Sequence, residues 1–380
     1  MNRKVRMGMV GGGPGAFIGG VHRTAARFDG KIELVCGAFS SDPKKSKSMA
    51  GELFLPKNRC YDSYDEMFKT EAKLPEGERM DFVAICTPNV SHFDIAMKAL
   101  DNGFHVLCDK PMTYSYEQAV KLKEKVKKTG LLFCVMYNYT AYPMIKQARA
   151  LLAKKALGDL RKVIVEYSLG WLAAPNAGKQ AVWRVDPKQA GGAACMGDIG
   201  THAENLIHYV TGLEMDDICV DLSTFVEGRP LDDDGSVMIR FKGGAKGLIH
   251  VSEVYTGEEN NLVLKICGSK GSLVWNQESP DELFLRSNDA PIQIFRRGWA
   301  GSLPGVEKFV RTPAGHPEGF LEAFANIYNE FTKAIVAYID GKKKCDTEYP
   351  NVADGERGML FLKMVVASDK SSKKWTKFKA

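Results

Sequence analysis

The 380-residue sequence lacks the features that would assign it to several special classes of protein. No apolar run approaches the roughly 18 residues that span a bilayer, so no membrane partner is expected. The first ten residues carry basic side chains but no apolar stretch of signal-peptide length. The sequence therefore predicts a cytoplasmic protein.

Nine cysteines are present, but no two of them form a Cys-x-x-Cys pair. Several lie inside apolar, strand-like runs, where cysteine behaves as a small hydrophobic residue. An odd and scattered set fits a reducing compartment better than a disulfide framework. The spacing also gives no reason to expect a bound metal.

The formal net charge is only +6, and no nucleic-acid-binding motif accompanies the lysines, so no nucleic acid partner is expected. The lysine-rich tail, 370–379, is interpreted as a frayed, solvated terminus. An apolar fraction of 44% and a charged fraction of 26% are typical of a globular protein. A chain of this length is expected to form two domains.

Short, continuously apolar strands alternate with helices in the first part of the chain. The predicted strands are Val5–Val10, Ile32–Phe39, Asp81–Cys86, Phe104–Cys108 and Leu131–Tyr137. Such strands indicate a parallel sheet that is covered on both faces. Residues 1–137 are therefore predicted to form a doubly wound α/β domain of the Rossmann type.

Longer strands with an alternating pattern, joined by hairpin turns, follow from residue 138. They predict an α/β domain over 138–380 with an open, mostly antiparallel sheet, which binds substrate and mediates oligomerisation. A long amphipathic helix is predicted over Pro317–Ile339, and 277–316 is interpreted as an irregular functional loop. An exposed, partly apolar sheet would be a liability in a monomer, so a homodimer or homotetramer through this sheet is expected.

A glycine-rich turn directly follows the first predicted strand. Gly11, Gly13 and Ala16 fit the pattern G-x-G-x-x-A. The first glycine permits the tight turn, the second lets the backbone approach a pyrophosphate, and the small third residue allows the helix to pack on the strand. The predicted dinucleotide site also includes Phe17 and Ile18, the latter at the start of a helix predicted over Ile18–Phe28.

The end of the second strand leaves the choice of cofactor open. Ser40 and Ser41 stand where an acidic residue usually holds the ribose hydroxyls. Lys45 lies near enough to help bind a 2′-phosphate, whereas Asp42 argues against one. NAD is slightly favoured because no arginine is present for a phosphate, and NADP is not excluded. The lysines here also fit the solvated start of a helix.

Two further strand ends carry polar residues, in Thr87-Pro88-Asn89 and Asp109-Lys110-Pro111. Ligands of doubly wound sheets lie at these carboxyl ends. Lys110 is therefore predicted to be functional rather than simply ion-paired. A cis Pro111 would aim the Lys110 side chain over a nicotinamide.

Asp198 and His202 are four residues apart on a predicted helix and share a face. A helix N-cap is the alternative role for Asp198, and a packed core histidine is the alternative for His202. Their pairing after a glycine-rich segment favours His202 as a general base. Trp183, Arg184 and His316 lie in irregular segments and are candidate substrate contacts, with surface or packing roles as the alternative.

Taken together, these motifs resemble the Gfo/Idh/MocA oxidoreductases, the family of glucose-fructose oxidoreductase and inositol dehydrogenase. The resemblance covers nearly the whole chain. It adds His92, which follows Thr87-Pro88-Asn89, to the candidate site, and it identifies Asp109-Lys110-Pro111 as this chain's form of the family's Glu-Lys-Pro motif. It implies a nicotinamide cofactor, a sugar or cyclitol substrate, and a C-terminal sheet that packs against a second subunit. The replacement of Glu by Asp109, and of the common acid by Ser40, departs from the family pattern.

The expected activity is that of an NAD(P)-dependent dehydrogenase that takes a hydride from a secondary hydroxyl of a sugar, glycoside or cyclitol. His202 is expected to act as the base, Lys110 as its electrostatic partner and Asp198 as the group that orients them. The alternative assignment makes Lys110 the base and His202 its electrostatic partner. Two alternatives remain. One is a glycoside-cleaving enzyme that oxidises its sugar transiently, and the other is a non-catalytic dinucleotide-binding regulator.

Overall fold

A computed structural model describes residues 2–175, 178–342 and 345–379. The chain divides into two compact units. The first contains the residues up to 136 together with 324–359, and the second contains 137–323 and the residues from 360 onward. The chain therefore returns to its first unit near the C-terminus, a return that the sequence-based division at residue 137 does not include.

The first unit is built on a five-stranded parallel sheet in the order β2-β1-β3-β4-β5. Its central strand, β3, is apolar throughout and fully buried, as expected for a sheet covered on both faces. This order confirms the predicted doubly wound fold. The strands are β1 (Val5–Gly11), β2 (Ile32–Ala38), β3 (Phe82–Cys86), β4 (His105–Cys108) and β5 (Phe133–Val135).

Five helices connect these strands or follow them in the chain. Side chains of Asp42, Ser63 and Ser115 cap α2, α3 and α5, respectively, by accepting hydrogen bonds from first-turn amides. The lysines after Asp42 thus occupy the start of a helix, as the second interpretation of that segment predicted. The helices are α1 (Phe17–Arg27), α2 (Pro43–Leu53), α3 (Tyr64–Glu71), α4 (Asn89–Asp101) and α5 (Tyr116–Thr129).

The second unit carries a nine-stranded sheet in the order β13-β12-β11-β10-β6-β9-β8-β7-β14. Only β6 and β9 pair in parallel, and the other neighbours are antiparallel. The strands are β6 (Leu160–Ser168), β7 (Met215–Ser223), β8 (Asp234–Phe241), β9 (Lys246–Ser252), β10 (Asn261–Gly268), β11 (Ser272–Asn276), β12 (Glu282–Arg286), β13 (Gln293–Arg296) and β14 (Thr376–Lys377).

Residues buried on one side of this sheet alternate with exposed ones, for example Val237 and Ile239 against Met238 and Arg240 in β8. The helices of this part of the chain are α6 (Pro143–Ala153), α7 (Lys179–Arg184), α8 (Pro187–Ala190) and α9 (Thr201–Thr211), and a π-helical turn, Met196–Gly200, leads into α9.

Two long helices, α10 (Phe320–Ile339) and α11 (Val352–Asp369), lie near the C-terminal end of the chain, before β14. Within the first unit, the ring of Phe331 meets that of Phe82 edge-on at 5.6 Å between centroids, and Tyr328 contacts Phe82 at 6.3 Å. The apolar stripe predicted on α10 therefore contributes to the core beneath the parallel sheet.

Two interpretations of the sequence were wrong. Residues 277–316 include β12 and the edge strand β13, which sequence reasoning missed because they are short and carry polar residues, with Leu283 as the buried anchor of β12. The lysine-rich tail is not simply frayed, because Thr376 and Lys377 pair with β7, and Lys377 forms an ion pair with Asp216 at 3.2 Å.

Within the part of the chain that the structure describes, no helix is both long and apolar enough to cross a membrane.

Candidate functional site

Two glycines of the turn between β1 and α1 have no room for a side chain. A Cβ atom on Gly13 would lie 2.5 Å from the Phe39 carbonyl oxygen, and one on Gly11, whose φ is +83°, would lie 2.5 Å from the Cys86 carbonyl oxygen. Among the described residues, no side chain caps the N-terminus of α1. Its first amides are therefore available to an anion, which is what a bound pyrophosphate requires.

The closest approach of α1 to this turn is at Gly19. A Cβ atom there would lie 2.3 Å from the Gly12 Cα atom. Arg23 reinforces the contact by donating from Nη1 to the Gly12 carbonyl oxygen at 2.7 Å. The sequence pattern assigned close packing to Ala16, which is the half-buried N-cap residue, whereas the structure places a close packing contact at Gly19.

The edge of β2 is polar and partly exposed. Ser40 Oγ accepts a hydrogen bond from the Asp42 amide at 3.1 Å, while Asp42 caps α2. Ser41 and Lys45 are exposed. Ser40 is thus the residue of this group that is held in a defined position beside the glycine turn.

His92 is fully buried and ties two strand-end loops together. Its Nε2 atom lies 2.8 Å from the Thr87 carbonyl oxygen, and its Nδ1 atom lies 2.9 Å from the Pro111 carbonyl oxygen. Burial lowers the pKa of His92. Thr87 also accepts a hydrogen bond from Ser91 at 2.8 Å, and Asn89 is buried at the start of α4. These contacts hold the loops after β3 and β4 in one arrangement.

Asp109 and Lys110 follow β4. The peptide bond between Lys110 and Pro111 is cis, and Asp109 Oδ1 accepts a hydrogen bond from the Lys110 amide at 2.8 Å. The other carboxylate oxygen lies 3.7 Å from His22 Nε2. Burial raises the pKa of Asp109, but the interaction with His22 and the charge of Lys110 lower it by a larger amount. The pKa of Asp109 is therefore below its ordinary value, and the carboxyl group remains ionised.

His22, on α1, is the buried counterpart of Asp109. Its Nδ1 atom lies 2.7 Å from the Tyr328 hydroxyl. Burial lowers the pKa of His22, but Cys86 and Asp109 together raise it more, to about 10. A cationic imidazole therefore compensates the Asp109 carboxylate. Sequence reasoning missed His22, because nothing in its local pattern distinguishes it from an ordinary helix residue.

The second unit presents its polar groups around the π-helical turn before α9. Asp232 organises the approach to this turn, since its two carboxylate oxygens accept hydrogen bonds from the Ala194 and Met196 amides, each at 2.7 Å. Thr201 Oγ1 donates to the Gly197 carbonyl oxygen at 2.9 Å. A π-turn is uncommon and often marks a functional site.

Asp198 lies inside this turn and is not a helix N-cap. Its Oδ2 atom accepts a hydrogen bond from Arg184 Nε at 2.9 Å, and both side chains are mostly buried. The guanidinium group of Arg184 lies 4.5 Å from the ring centroid of Trp183 and 5.6 Å from that of Trp171. The structure thus brings Arg184, Trp183 and Asp198 together.

A second carboxyl group, that of Glu253, joins this cluster. Glu253 is only 1% exposed and accepts a hydrogen bond from Trp171 Nε1 at 3.3 Å. Burial raises the pKa of Glu253 well above its ordinary value, and the neighbouring Asp198 carboxyl group raises it further. Sequence reasoning missed this glutamate, which directly follows β9 and belongs to no recognisable motif.

His202 lies in the first turn of α9 and is buried among aromatic rings. The ring of Tyr139 meets it edge-on at 4.7 Å between centroids, and that of Tyr137 does so at 5.8 Å. The hydroxyl of Tyr139 lies 2.5 Å from that of Tyr167. These contacts fix the imidazole ring one turn beyond Asp198.

His316 occupies a different environment from the other candidates. It lies exposed on a turn, its carbonyl oxygen accepts a hydrogen bond from Arg297, and its Nδ1 atom lies 3.4 Å from the Pro313 carbonyl oxygen. Arg297 is itself held by Asp281 and Glu318, at 2.6 and 3.0 Å. The described contacts of His316 therefore belong to this turn.

Comparison with known proteins matches both parts of the chain to models of one family. Residues 5–137 match the oxidoreductase family with an NAD-binding Rossmann fold, and 145–274 match the GFO/IDH/MocA C-terminal domain. The chain is 32% identical to an uncharacterized oxidoreductase of Bacillus subtilis, over 100% of this chain and 98% of the other. It is 30% identical to levoglucosan dehydrogenase of Pseudarthrobacter phenanthrenivorans, over 75% of this chain and 77% of that protein.

A solved structure of high similarity is that of an inositol dehydrogenase homolog from Azotobacter vinelandii complexed with NAD+. It is 34% identical, covers 99% of this chain and 98% of its own, and has a TM-score of 0.96. The glycine turn and the uncapped N-terminus of α1 fit the NAD that such a Rossmann domain binds. The protein is a member of the Gfo/Idh/MocA family of NAD-binding oxidoreductases.

Proposed function

We propose that this oxidoreductase oxidises a secondary hydroxyl group of a sugar, glycoside or cyclitol. Bound NAD+ supplies the hydride acceptor. Residues 1–137 serve as the cofactor-binding domain, and 138–380 serve to bind the substrate and to form the oligomer. The observation that carries the proposal is that Asp198, paired with Arg184, lies one turn before the buried His202.

The chain offers a coherent set of groups for the cofactor. The N-terminus of α1 binds the pyrophosphate, and the bare backbone at Gly11 and Gly13 lets it approach. Ser40 donates to a ribose hydroxyl. The assignment also includes flanking and strand-end residues, namely Ala16, Phe17, Ile18, Ser41, Lys45, Thr87, Pro88, Asn89, His92, Asp109 and Lys110.

His202, Lys110 and Asp198 divide the chemistry between them. His202 accepts the hydroxyl proton, because a neutral imidazole suits that task near pH 7. The Lys110 ammonium stabilises the negative charge that develops on the same oxygen. Asp198, which bonds to Arg184, orients its partners and keeps its own charge.

The residues around Asp198 suit a polyhydroxylated ring. Trp183 offers an apolar face, and Arg184 offers further N–H donors beside a carboxylate, the combination that recognises the faces and hydroxyls of a sugar. His316 completes the proposed substrate contacts from its exposed turn. The names of the relatives, inositol dehydrogenase and levoglucosan dehydrogenase, support a carbohydrate of this kind.

The outer face of the large sheet supports a homodimer or homotetramer. Neighbouring strands align one row of outward-facing side chains that is mostly apolar and includes Met238, 43% exposed, and Ile294, 47% exposed. The row, in order across the sheet, is Met238, Leu248, Ile164, Lys265, Val274, Phe284 and Ile294. A second copy of the same face would cover it.

The cytoplasm is the proposed location. All nine cysteines are free, and six of them are buried, which fits a reducing compartment.

The proposal is tested by mixing the purified protein with NAD+ and a set of sugars and cyclitols that includes myo-inositol and levoglucosan. We expect net formation of reduced nicotinamide with at least one of them. Cleavage of a glycoside without net reduction of NAD+ would contradict the proposal, as would tight binding of NAD+ without turnover of any compound.

A further inference from the structure

Glu253 is held rigidly at the end of β9. Its amide donates to the Asp233 carbonyl oxygen at 2.9 Å, and its own carbonyl oxygen accepts from the Leu172 amide at 3.0 Å. Asp233 is in turn paired with Arg229 at 3.1 Å, and Arg229 also donates to the carbonyl oxygens of Leu172 and Ala174. The backbone on both sides of the Glu253 carboxyl group is therefore fixed.

The carboxyl groups of Glu253 and Asp198 belong to one cluster, because Trp171 bonds to Glu253 and its ring centroid lies 5.6 Å from the guanidinium group of Arg184, which pairs with Asp198. Among the described contacts of this cluster, the cation bonds to Asp198. Arg184 bonds to Asp198 Oδ2 at 2.9 Å, whereas the Trp171 Nε1 atom, a neutral donor, bonds to Glu253 Oε1 at 3.3 Å. Two ionised carboxylates in this position would repel each other and leave the buried charge of Glu253 poorly compensated. A single proton shared between the two carboxyl groups removes both the repulsion and the poorly compensated charge.

The arrangement of donors places that proton on Glu253. Asp198 has the guanidinium group, so it is the better carboxylate, and Glu253, with 1% exposure, is the worse one. Burial raises the pKa of Glu253 well above its ordinary value, and the charge of Asp198 raises it further, while Arg184 lowers it. Another titratable group beside the cluster is the Cys195 thiol, whose pKa burial also raises, so it stays neutral.

We propose that Glu253 is a positioning residue: as a neutral carboxylic acid it donates a hydrogen bond to Asp198 and, together with Arg184, holds that carboxylate in the orientation the reaction needs. This inference rests on the proposed function for its kinetic consequence. Asp198 then accepts hydrogen bonds from two fixed donors, Glu253 and Arg184. It therefore remains ionised, and the proton of the substrate goes to His202.

The protonation state can be tested without any substrate. Infrared spectra of the full-length protein with NAD+ at neutral pH, compared with those of Glu253→Gln, should show a carbonyl stretching band of a protonated carboxylic acid that the variant lacks. The matched control is Glu259→Gln. Glu259 is exposed and lies, like Glu253, between β9 and β10, so its replacement should cause no loss of this band. A wild-type spectrum without a band specific to Glu253 would overturn the inference.

The positioning role is tested by kinetics with NAD+ and myo-inositol, or the compound with the highest rate if myo-inositol is not oxidised. Gln retains both an acceptor for Trp171 and a donor for Asp198, and Met retains neither. Glu253→Gln should keep at least about a third of the wild-type kcat/KM, while Glu253→Met should lose about tenfold or more. Equal losses in the two variants would overturn the role.

Thermal unfolding and NAD+ affinity, measured alongside, identify a Met variant that has failed to fold, and the infrared comparison then still decides. Failure of the proposed function has a different signature, because a protein that oxidises none of the compounds would still show the Glu253 band. The two hypotheses are thus separable.

Discussion

The Nε atom of Arg184 lies 2.9 Å from the Oδ2 atom of Asp198, and the same guanidinium group stacks over Trp183 at 4.5 Å. One side chain thus connects an aromatic surface with the carboxylate that precedes α9. Arg184 also bonds to Gln180, at 2.8 Å to its carbonyl oxygen, so the pair fixes the short helix α7 beside the π-turn.

Replacement of Arg184 by Met should lower kcat/KM by about 10- to 100-fold while NAD+ affinity stays within about twofold of wild type. The variant removes the guanidinium group that pairs with Asp198 but keeps an apolar stem against Trp183. Steady-state kinetics and calorimetry check this, with Arg161→Met as the control, since Arg161 is exposed on β6. A loss below about twofold would show that Arg184 has no role in the reaction.

Replacement of Gly13 by Ala should weaken NAD+ binding by about tenfold or more, because the new Cβ atom would lie 2.5 Å from the Phe39 carbonyl oxygen and displace the turn. Gly20→Ala is the matched control: it lies in α1, and a Cβ atom there would meet no neighbouring described atom within 4 Å. Isothermal calorimetry measures both. Equal affinities for the two variants would argue against pyrophosphate binding at this turn.

The His22–Asp109 pair should make stability depend on pH in a defined window. The folded-state pKa of His22 is raised to about 10, so its stabilising contribution is complete below the unfolded pKa near 6.5 and is lost as pH rises through about 10. The difference in Tm between wild type and His22→Asn should therefore be largest near pH 6 and should decrease toward pH 10.

His105 provides a control of opposite sign. Burial lowers its pKa to about 4, so its contribution is present above about pH 6.5 and is lost as pH falls through 4. His105→Asn should thus differ from wild type by a constant amount between about pH 7 and 10. A His22→Asn difference that is equally constant over this range would contradict the charged state of His22.

The apolar row on the outer face of the large sheet should form the contact between subunits. Met238→Asp places a charge in that row and should shift the protein toward monomers, whereas Phe54→Asp, at a side chain that is 93% exposed in the first unit, should not. Light scattering at micromolar concentration measures both variants. A wild-type monomer, or a Met238→Asp variant that assembles as wild type does, would contradict this interface.

The fold was largely predictable from the sequence, because its signals are local. Continuous apolar runs such as 82–86 and alternating ones such as 234–241 each reflect the environment of a single strand. The strands β12 and β13, at one end of the large sheet, were missed because their local signals are weak. They are short and have a polar residue at each end, and their pairing is set by neighbours in the sheet rather than by their own composition.

The site was predictable only as far as its motifs reach. The glycine turn, Lys110, Asp198 and His202 follow from patterns within a few residues. Glu253 and His22 do not, because each acquires its role from a partner far away in the chain, Asp198 for the first and Asp109 for the second. Burial of a charged or titratable group becomes visible only when the chain has folded.

The most direct test of the account is single-turnover hydride transfer to NAD+ in His202→Ala and Lys110→Ala, with cofactor affinity measured alongside. His202 should be needed to remove the hydroxyl proton, and Lys110 to stabilise the oxygen that is left. We expect the rate of nicotinamide reduction to fall by about two orders of magnitude or more in each variant, with the dinucleotide still bound. A His202→Ala enzyme that reduces NAD+ at nearly the wild-type rate would contradict the account and leave His202 as a packing residue between Tyr137 and Tyr139.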